Sequence, residues 1–299
     1  MASQSHTRVA SAHPLEGGAD LAQGARSVLA LGRREMLLWL ALALLCQQFL
    51  AVPSDTLAAY LEGLQSHLAA KSIFTYIAWF AVLSLIVDSA RRAPARASDV
   101  VLLLAVIASG VLTARSVPWL AMTAAAAYFM LRDRTDIKLG AAGAVMLALA
   151  FNGFWGPRLF EIFAYHLLQA DAALVGAALS ATRSGIQWSE TIVGASSDHS
   201  IIVYGPCSSF HNISLGLLCW VALTKLARPR WVKADVLVGL AVVVAVIALN
   251  ASRLYLMALG AESFEYWHNG TGQLIFAWAT TLGVLAISLY GALRVGRAP

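Results

Sequence analysis

Three side chains that could together transfer an acyl group lie in the last third of this chain. Cys207 follows a Gly-Pro pair in YGPCSSFHNISLG, Arg253 lies in LNASRLYL, and His268 lies in EYWHNGTG. A thiol nucleophile, a group that moves protons and a fixed cation that stabilises an oxyanion are the minimum set for acyl transfer. They can act together only if the fold brings these three distant positions to one place.

The composition indicates that a membrane surrounds the chain. Hydrophobic residues make up 59% of its 299 residues and charged residues 12%, and the mean hydropathy is +0.71. This is more apolar surface than a soluble core needs. The net charge of +5 comes from short basic clusters between apolar runs. That pattern is typical of membrane orientation and argues against nucleic acid as a partner.

Apolar runs recur along the chain at lengths that suit a bilayer. A transmembrane helix needs about 20 mostly apolar residues. The sequence therefore predicts an all-α polytopic membrane protein with about eight transmembrane helices. The predicted spans cover residues 35–53, 72–90, 98–114, 117–131, 138–155, 205–225, 234–254 and 273–293.

Two segments between the fifth and sixth spans differ from this pattern. Residues 158–180 mix polar and apolar side chains at intervals of three to five, which indicates an amphipathic interfacial or buried helix. Residues 183–204 hold two short β-branched and aromatic runs, which predict a β-hairpin. The edge of that hairpin is a candidate for binding an extended peptide by strand addition.

The distribution of Lys and Arg gives the orientation. If the N-terminal tail is cytosolic, 16 of the 21 basic residues lie on the cytosolic side and 5 lie outside. The positive-inside rule favours this arrangement. Residues 1–30 lack the pattern of a signal peptide and are predicted to form a mobile cytosolic tail, while residues 31–299 form the membrane-embedded domain. Both termini are then cytosolic, in the inner membrane, and the hairpin faces outside.

Cys207 is predicted to lie in the first turn of the sixth span. Pro206 suits the first helical position, and free N–H groups with the positive end of the helix dipole favour a thiolate there. Cys46 and Cys219 lie within apolar runs and are interpreted as small hydrophobic residues. Cys207 and Cys219, twelve residues apart on one helix, would be about 18 Å apart, too far for a disulfide.

Each possible partner of Cys207 also has an ordinary structural explanation. Arg253, on the same helix face as Asn250, could reach lipid headgroups, and His268 could be an interfacial loop residue. His211 lies four residues after Cys207 and could orient or pack against it. A zinc site of Cys207, His211 and His268 is a weaker alternative, because no CxxC or HExxH motif supports it.

The segments CSSFHNISL at Cys207, NASR at Arg253 and HNGTG at His268 resemble the exosortase/archaeosortase family of membrane transpeptidases. The resemblance covers residues from about 35 to the C-terminus, and its specific part is 205–275. It departs from the family at Ser209, where many members have Gly, and at Asn269, where an acidic residue is expected.

The resemblance implies an enzyme, a cysteine protease or transpeptidase that needs no cofactor or metal. Its partners would be membrane lipids and exported proteins with a C-terminal sorting tail: a short motif, one transmembrane helix and a basic cluster. Cys207 would be the nucleophile, His268 the proton-transfer group and Arg253 the stabilising cation, with Ser208, His211 and Asn250 in support. The alternative is a transporter or lipid-binding scaffold whose Arg253 and His268 bind an anionic headgroup.

Overall fold

The computed structural model describes residues 32–50, 56–89, 93–112, 114, 116–132, 135–196 and 199–295. The predicted tail over residues 1–30 lies outside the described residues. The described part is helical apart from one small antiparallel sheet between the seventh and eighth helices.

The helices and strands follow one another in this order: α1 (Arg33–Leu50), α2 (Leu57–Ala69), α3 (Ile73–Val87), α4 (Ala97–Val111), α5 (Val117–Arg132), α6 (Ile137–Ala150), a π-helical turn (Phe151–Trp155), α7 (Gly156–Thr182), β1 (Gln187–Ser189), β2 (Ile192–Ser196), β3 (His199–Ile202), a 3-10 turn (Gly205–Cys207), α8 (Ser209–Ala227), α9 (Lys233–Ala258), α10 (Ala261–His268) and α11 (Thr271–Arg294).

Four helical stretches in the described residues are long and apolar enough to cross a membrane. They are the continuous stretch Ile137–Thr182, α8, α9 and α11. The pair α2 and α3, bent by 90°, gives a fifth if it counts as one span. α4 and α5 have 15 and 16 residues, fewer than the roughly 20 that a span needs. By length and composition, the fold is a helical membrane protein with four to five candidate spans.

The helix predicted over 158–180 is not separate from the span before it. α6, the π-helical turn and α7 form one stretch of 46 residues, Ile137–Thr182. At about 1.5 Å per residue, this stretch is more than twice the roughly 30 Å of bilayer hydrocarbon. The Gly156-Pro157 pair does not end the helix, because Gly156 N–H bonds five residues back to the Phe151 carbonyl. The π turn thus carries the helix past a proline.

The predicted hairpin is part of a three-stranded antiparallel sheet in the order β1-β2-β3. The additional strand β1 pairs with β2 through Trp188 and Val193. Gly176 of α7 accommodates the Trp188 indole, since a Cβ there would lie 2.7 Å from the ring. The sheet is therefore attached to α7 through β1, the strand that the predicted hairpin lacked.

Two buried apolar clusters organise the described helices. The larger cluster draws on α1, α3 to α6, α8, α9 and α11. The smaller one lies between α7, the sheet and the C-terminal part of α9, and it contains Cys207. α8, α9 and α11 also pack against one another. The start of α8, the end of α9 and the start of α11 therefore meet at one end of the bundle.

Candidate active site

Cys207 lies just before α8 and not in its first turn. Residues Gly205–Cys207 form a 3-10 turn, in which Cys207 N–H bonds to the Tyr204 carbonyl at 2.8 Å. Ser208 is the N-cap, because its side-chain oxygen accepts the Phe210 N–H at 3.3 Å, and α8 begins at Ser209. The prediction of a first-turn position is wrong, since two consecutive serines delay the helix start.

The N-terminus of α8 is held by a carboxylate from another helix. Asp171 of α7 accepts the Ser208 hydroxyl at 3.0 Å, the Ser209 N–H at 3.0 Å and the Ser209 hydroxyl at 2.7 Å. All three residues are buried. Asp171 thus supplies the negative charge that complements the dipole of α8. Ser208 donates to that carboxylate and caps the helix.

The Cys207 thiol is protonated more firmly than an ordinary thiol. Burial raises the pKa of Cys207, and the negative charge of Asp171 adds to the rise. The Tyr204 hydrogen bonds and the positive charge of Arg253 act in the opposite direction. The helix N-terminus is thus not the dominant influence on the thiol, because burial outweighs the groups that favour a thiolate. A nucleophile at this position requires a group that removes its proton.

Tyr204 connects Cys207 to His268. Its hydroxyl oxygen lies 3.4 Å from His268 Nε2, and its side chain is close enough to Cys207 to lower the pKa of the thiol. Tyr204 is three residues before the cysteine, at the point where the chain leaves β3, and is exposed. Sequence reasoning missed this residue, although an aromatic hydroxyl one turn before a candidate nucleophile was visible in the sequence.

The ring of His268 is oriented by Asn269 and Glu265. The Glu265 carboxylate, which only accepts, receives Asn269 Nδ2 at 2.9 Å. This fixes the amide so that Asn269 Oδ1 faces His268 Nδ1 at 2.8 Å. Nδ1 must then donate, which leaves Nε2 of a neutral imidazole free to accept from Tyr204. Glu265, one helical turn earlier, therefore acts on the His268 ring through Asn269.

The ends of α9 and α10 place Arg253 beside this chain of groups. Arg253 Nε donates to the Trp267 carbonyl at 3.2 Å, and the side chain is half-buried. Its charge is close enough to Cys207 to lower the pKa of the thiol. One turn earlier on α9, the buried Asn250 donates through Nδ2 to the Cys207 carbonyl at 2.9 Å. α9 therefore carries Arg253, and through Asn250 it also fixes the Gly205–Cys207 turn.

A cavity of about 250 Å³ lies against Arg253 and Asn250. Its other polar lining consists of neutral amides and hydroxyls from α3, α8 and α11. Pro206, next to Cys207, forms part of the wall. The cavity thus offers room for a polar ligand beside a single cation. Its polar lining residues are Ser72, Asn212, Asn250, Arg253, Gln273, Thr280 and Thr281.

The structure separates His211 from the other predicted residues. His211 is exposed on α8, while Cys207 is buried, and no hydrogen bond joins their side chains among the described residues. Cys46 is exposed and Cys219 is buried in the large apolar cluster, and neither forms a disulfide. In the part of the chain that the structure describes, no three His, Cys, Asp or Glu side chains are grouped so that they could hold a metal ion.

Comparison of the chain with protein-family models, with curated proteins and with solved structures found no match. The functional interpretation therefore depends on the residues, on their geometry and on the resemblance of three short segments.

Proposed function

We propose that this protein is a membrane cysteine transpeptidase of the exosortase/archaeosortase type. It cleaves the C-terminal sorting tail of exported proteins at the outer face of the inner membrane and forms a thioester intermediate on Cys207. The observation that carries the proposal is the contact between the Tyr204 hydroxyl and His268, beside a Cys207 thiol whose pKa both Tyr204 and the Arg253 charge lower.

The contacts of Tyr204 with His268 and of His268 with Asn269, next to Cys207, support proton removal from a neutral thiol. In the proposed mechanism the neutral Cys207 thiol donates to the Tyr204 oxygen as the substrate binds, and Tyr204 donates to His268 Nε2. When Cys207 attacks a peptide carbonyl, its proton passes to Tyr204 and the Tyr204 proton passes to His268. The hydrogen bonds then reverse, so that Tyr204 donates to the sulfur. In both states Nδ1 donates to Asn269, which keeps the imidazole in place.

The remaining groups account for the charge that develops during the reaction. The attacked carbonyl oxygen becomes negative as the carbon–sulfur bond forms, and Arg253 stabilises it. The proton held by His268 returns through Tyr204 to the leaving amine as the peptide carbon–nitrogen bond breaks. Water or an acceptor amine then attacks the thioester carbonyl, and the carbon–sulfur bond breaks to restore the thiol.

The proposed membrane arrangement has about eight spans, with both termini cytosolic and the end that carries Cys207 outside. The 16 to 5 division of basic residues supports this orientation. α1, α4 and α5 would serve as short spans beside the four or five longer ones. A substrate anchored by one transmembrane helix would present its scissile bond at the depth of Cys207, so the membrane itself contributes to orientation.

A transporter or lipid-binding scaffold is the second candidate, and the polar cavity is the observation that favours it. One cation among neutral polar side chains suits an anionic headgroup. Such a scaffold has no need for a thiol, whereas the transpeptidase depends on it completely. The two candidates therefore differ most in the consequence of losing Cys207.

The test is co-expression with a single-span protein that carries a sorting tail and shares its motif with other exported proteins of the host. We expect the wild-type protein to process this substrate, and Cys207→Ala and Cys207→Ser to process none while accumulating normally. Cys219→Ala, which removes a buried thiol elsewhere, and Cys46→Ala are the matched controls and should process it fully. Complete processing by the Cys207→Ala protein contradicts the proposal.

A further inference from the structure

The two free edges of the sheet differ in what lies beside them. The order β1-β2-β3 leaves β1 and β3 as the edge strands. β1 is attached to α7 through Trp188 and leads away from the candidate site. β3 leads straight into it, because only four residues separate Ile202 from Cys207. Only the β3 edge is therefore continuous with the nucleophile.

The backbone of β3 has hydrogen-bonding groups on its free side. Val203 N–H bonds to the Thr191 carbonyl at 2.8 Å, and Ile201 lies opposite Val193 of β2. In an antiparallel pair, alternate residues direct both backbone groups towards the same neighbour. Ile202, between Ile201 and Val203, consequently directs its N–H and C=O groups away from β2. The register shift between Val193 and Ser196 lies in β2, so the alternation along β3 places Ser200 on the same free side. Among the described strands, none pairs with β3 on that side.

The side chains of β3 do not protect this edge. Ile201 is 4% exposed and packs inward, whereas Ile202 is 62% exposed and Ser200 is also exposed. Edge strands in folded proteins ordinarily carry a charge, a proline or a cover that prevents another strand from pairing. The β3 sequence His-Ser-Ile-Ile has neither a proline nor an acidic or basic chain at its open positions. His199, the first residue of β3, contacts the Met257 carbonyl of α9 and the Phe264 ring of α10, so the edge is open to a further strand from Ser200 onward.

A polypeptide fits this edge better than any other ligand. Free N–H and C=O groups that repeat every second residue match the backbone of an extended peptide. A strand added beside β3 would continue past Tyr204, whose hydroxyl contacts His268 and whose ring is exposed. Backbone pairing also fixes the register of the peptide relative to Cys207 while tolerating different side chains.

We infer that the free edge of β3 binds the extended segment of the substrate as an added strand, through the backbone groups of Ser200 and Ile202. The inference rests on the proposed transpeptidase function and adds the way in which that enzyme holds its substrate. A second copy of this chain, paired edge to edge, is the competing occupant.

Disulfide scanning tests the inference in the full-length membrane protein. The background is Cys46→Ala, Cys207→Ala and Cys219→Ala, which leaves no other thiol and keeps the substrate uncleaved. Ser200→Cys and Ile202→Cys report on the β3 edge. Ser189→Cys, exposed on β1, is the matched control on the opposite edge. Each variant is oxidised with substrates that carry one cysteine at successive positions before their transmembrane helix.

We expect Ser200→Cys and Ile202→Cys to form crosslinks with every second substrate position. The positions between should form none. The best partners of the two variants should differ by two substrate residues, and the sign of that difference gives the direction of the added strand. Ser189→Cys should form no crosslink with any substrate position.

Equal crosslinking along the substrate, or equal yields at Ser189→Cys, would overturn the inference. A crosslink between two copies of the Ser200→Cys protein that substrate does not displace would assign the edge to self-association and overturn it as well. These outcomes are distinct from failure of the proposed function, because dependence of processing on Cys207 is measured separately in the protein that retains this thiol.

Discussion

Two helices of this protein, α8 and α9, each have an N-terminus held by a buried carboxylate, but the charges around the two carboxylates differ. At α9, Asp235 accepts the Val232 N–H at 2.9 Å and pairs with the Arg228 guanidinium. At α8, Asp171 accepts only hydroxyls and an N–H, from Ser208 and Ser209. The first carboxylate has a cation beside it, whereas no cation of the described residues pairs with the second.

The difference distinguishes a charge that stabilises the fold, because it has an ion-pair partner, from a charge that is available to a ligand. The Arg228 and Asp235 charges neutralise each other in place, as buried charges usually must. Near Cys207 the charges are kept apart: Arg253 contacts the Trp267 carbonyl and lines a cavity, and no carboxylate of the described residues pairs with it. Asp171 instead stabilises the start of α8. A guanidinium that lies beside a cavity and has no ion-pair partner can donate to a developing oxyanion and stabilise it.

The largest effect after loss of the thiol should come from His268→Ala. Without the imidazole the Tyr204 proton has no acceptor, and loss of a general base typically lowers the rate by about 10²- to 10⁴-fold. His211→Ala is the matched control, because His211 is exposed on α8 and separate from this chain of groups. A time course of substrate processing measures both. Equal rates for the two variants would remove His268 from the mechanism.

The next effect compares the two arginines directly. Arg253→Lys keeps the charge but loses the planar fork of donors, so processing should fall by about 10²- to 10³-fold while the protein accumulates normally. Arg228→Lys makes the same change at the paired site. It should lower the thermal stability and leave the processing rate per folded molecule unchanged. If Arg253→Lys processes substrate at the wild-type rate, the cation is a membrane anchor.

Much of the site was predictable because helix ends follow from the lengths of apolar runs. Cys207, Arg253 and His268 are adjacent to the ends of α8, α9 and α11, and packing of those helices brings them to one end of the bundle. The N-cap preference of serine was also visible in Ser208 and Ser209, and it would have placed Cys207 outside the helix.

Other features depend on contacts between segments that are distant in sequence. Asp171 lies 38 residues before Ser209, and its polar character alone indicated only an amphipathic helix. The continuity of α6 and α7 depends on a π turn packed beside Trp119, where a Cβ on Gly153 would lie 2.0 Å from the indole. Neither tertiary contact leaves a periodic signal in the sequence.

A smaller loss of rate is expected from Tyr204→Phe. This change removes the hydroxyl that contacts His268 and that we propose as its link to Cys207, but it keeps the ring. A neutral hydrogen bond contributes about 0.5 to 1.5 kcal/mol, so the rate should fall roughly two- to tenfold, with water replacing the hydroxyl as the link. Comparison of the pH profiles of the two proteins adds a second measurement. An unchanged rate and profile would mean that Cys207 and His268 exchange protons without Tyr204.

The smallest effect concerns the two helix caps and is measured on the thiol itself. In a background of Cys46→Ala and Cys219→Ala, the rate of alkylation of Cys207 against pH gives the pKa of its thiol, because only the thiolate reacts. Burial raises the pKa of Cys207, so alkylation should require a higher pH than for an ordinary cysteine.

Asp171→Asn removes a negative neighbour, which favours the thiolate, so its alkylation curve should move to lower pH. Asp235→Asn makes the same change at α9, where it leaves Arg228 unpaired; it should destabilise the protein and leave the alkylation curve in place. A curve that moves equally in both variants would show that the two caps do not differ in their effect on Cys207, and that Asp171 does not act on the thiol through its charge.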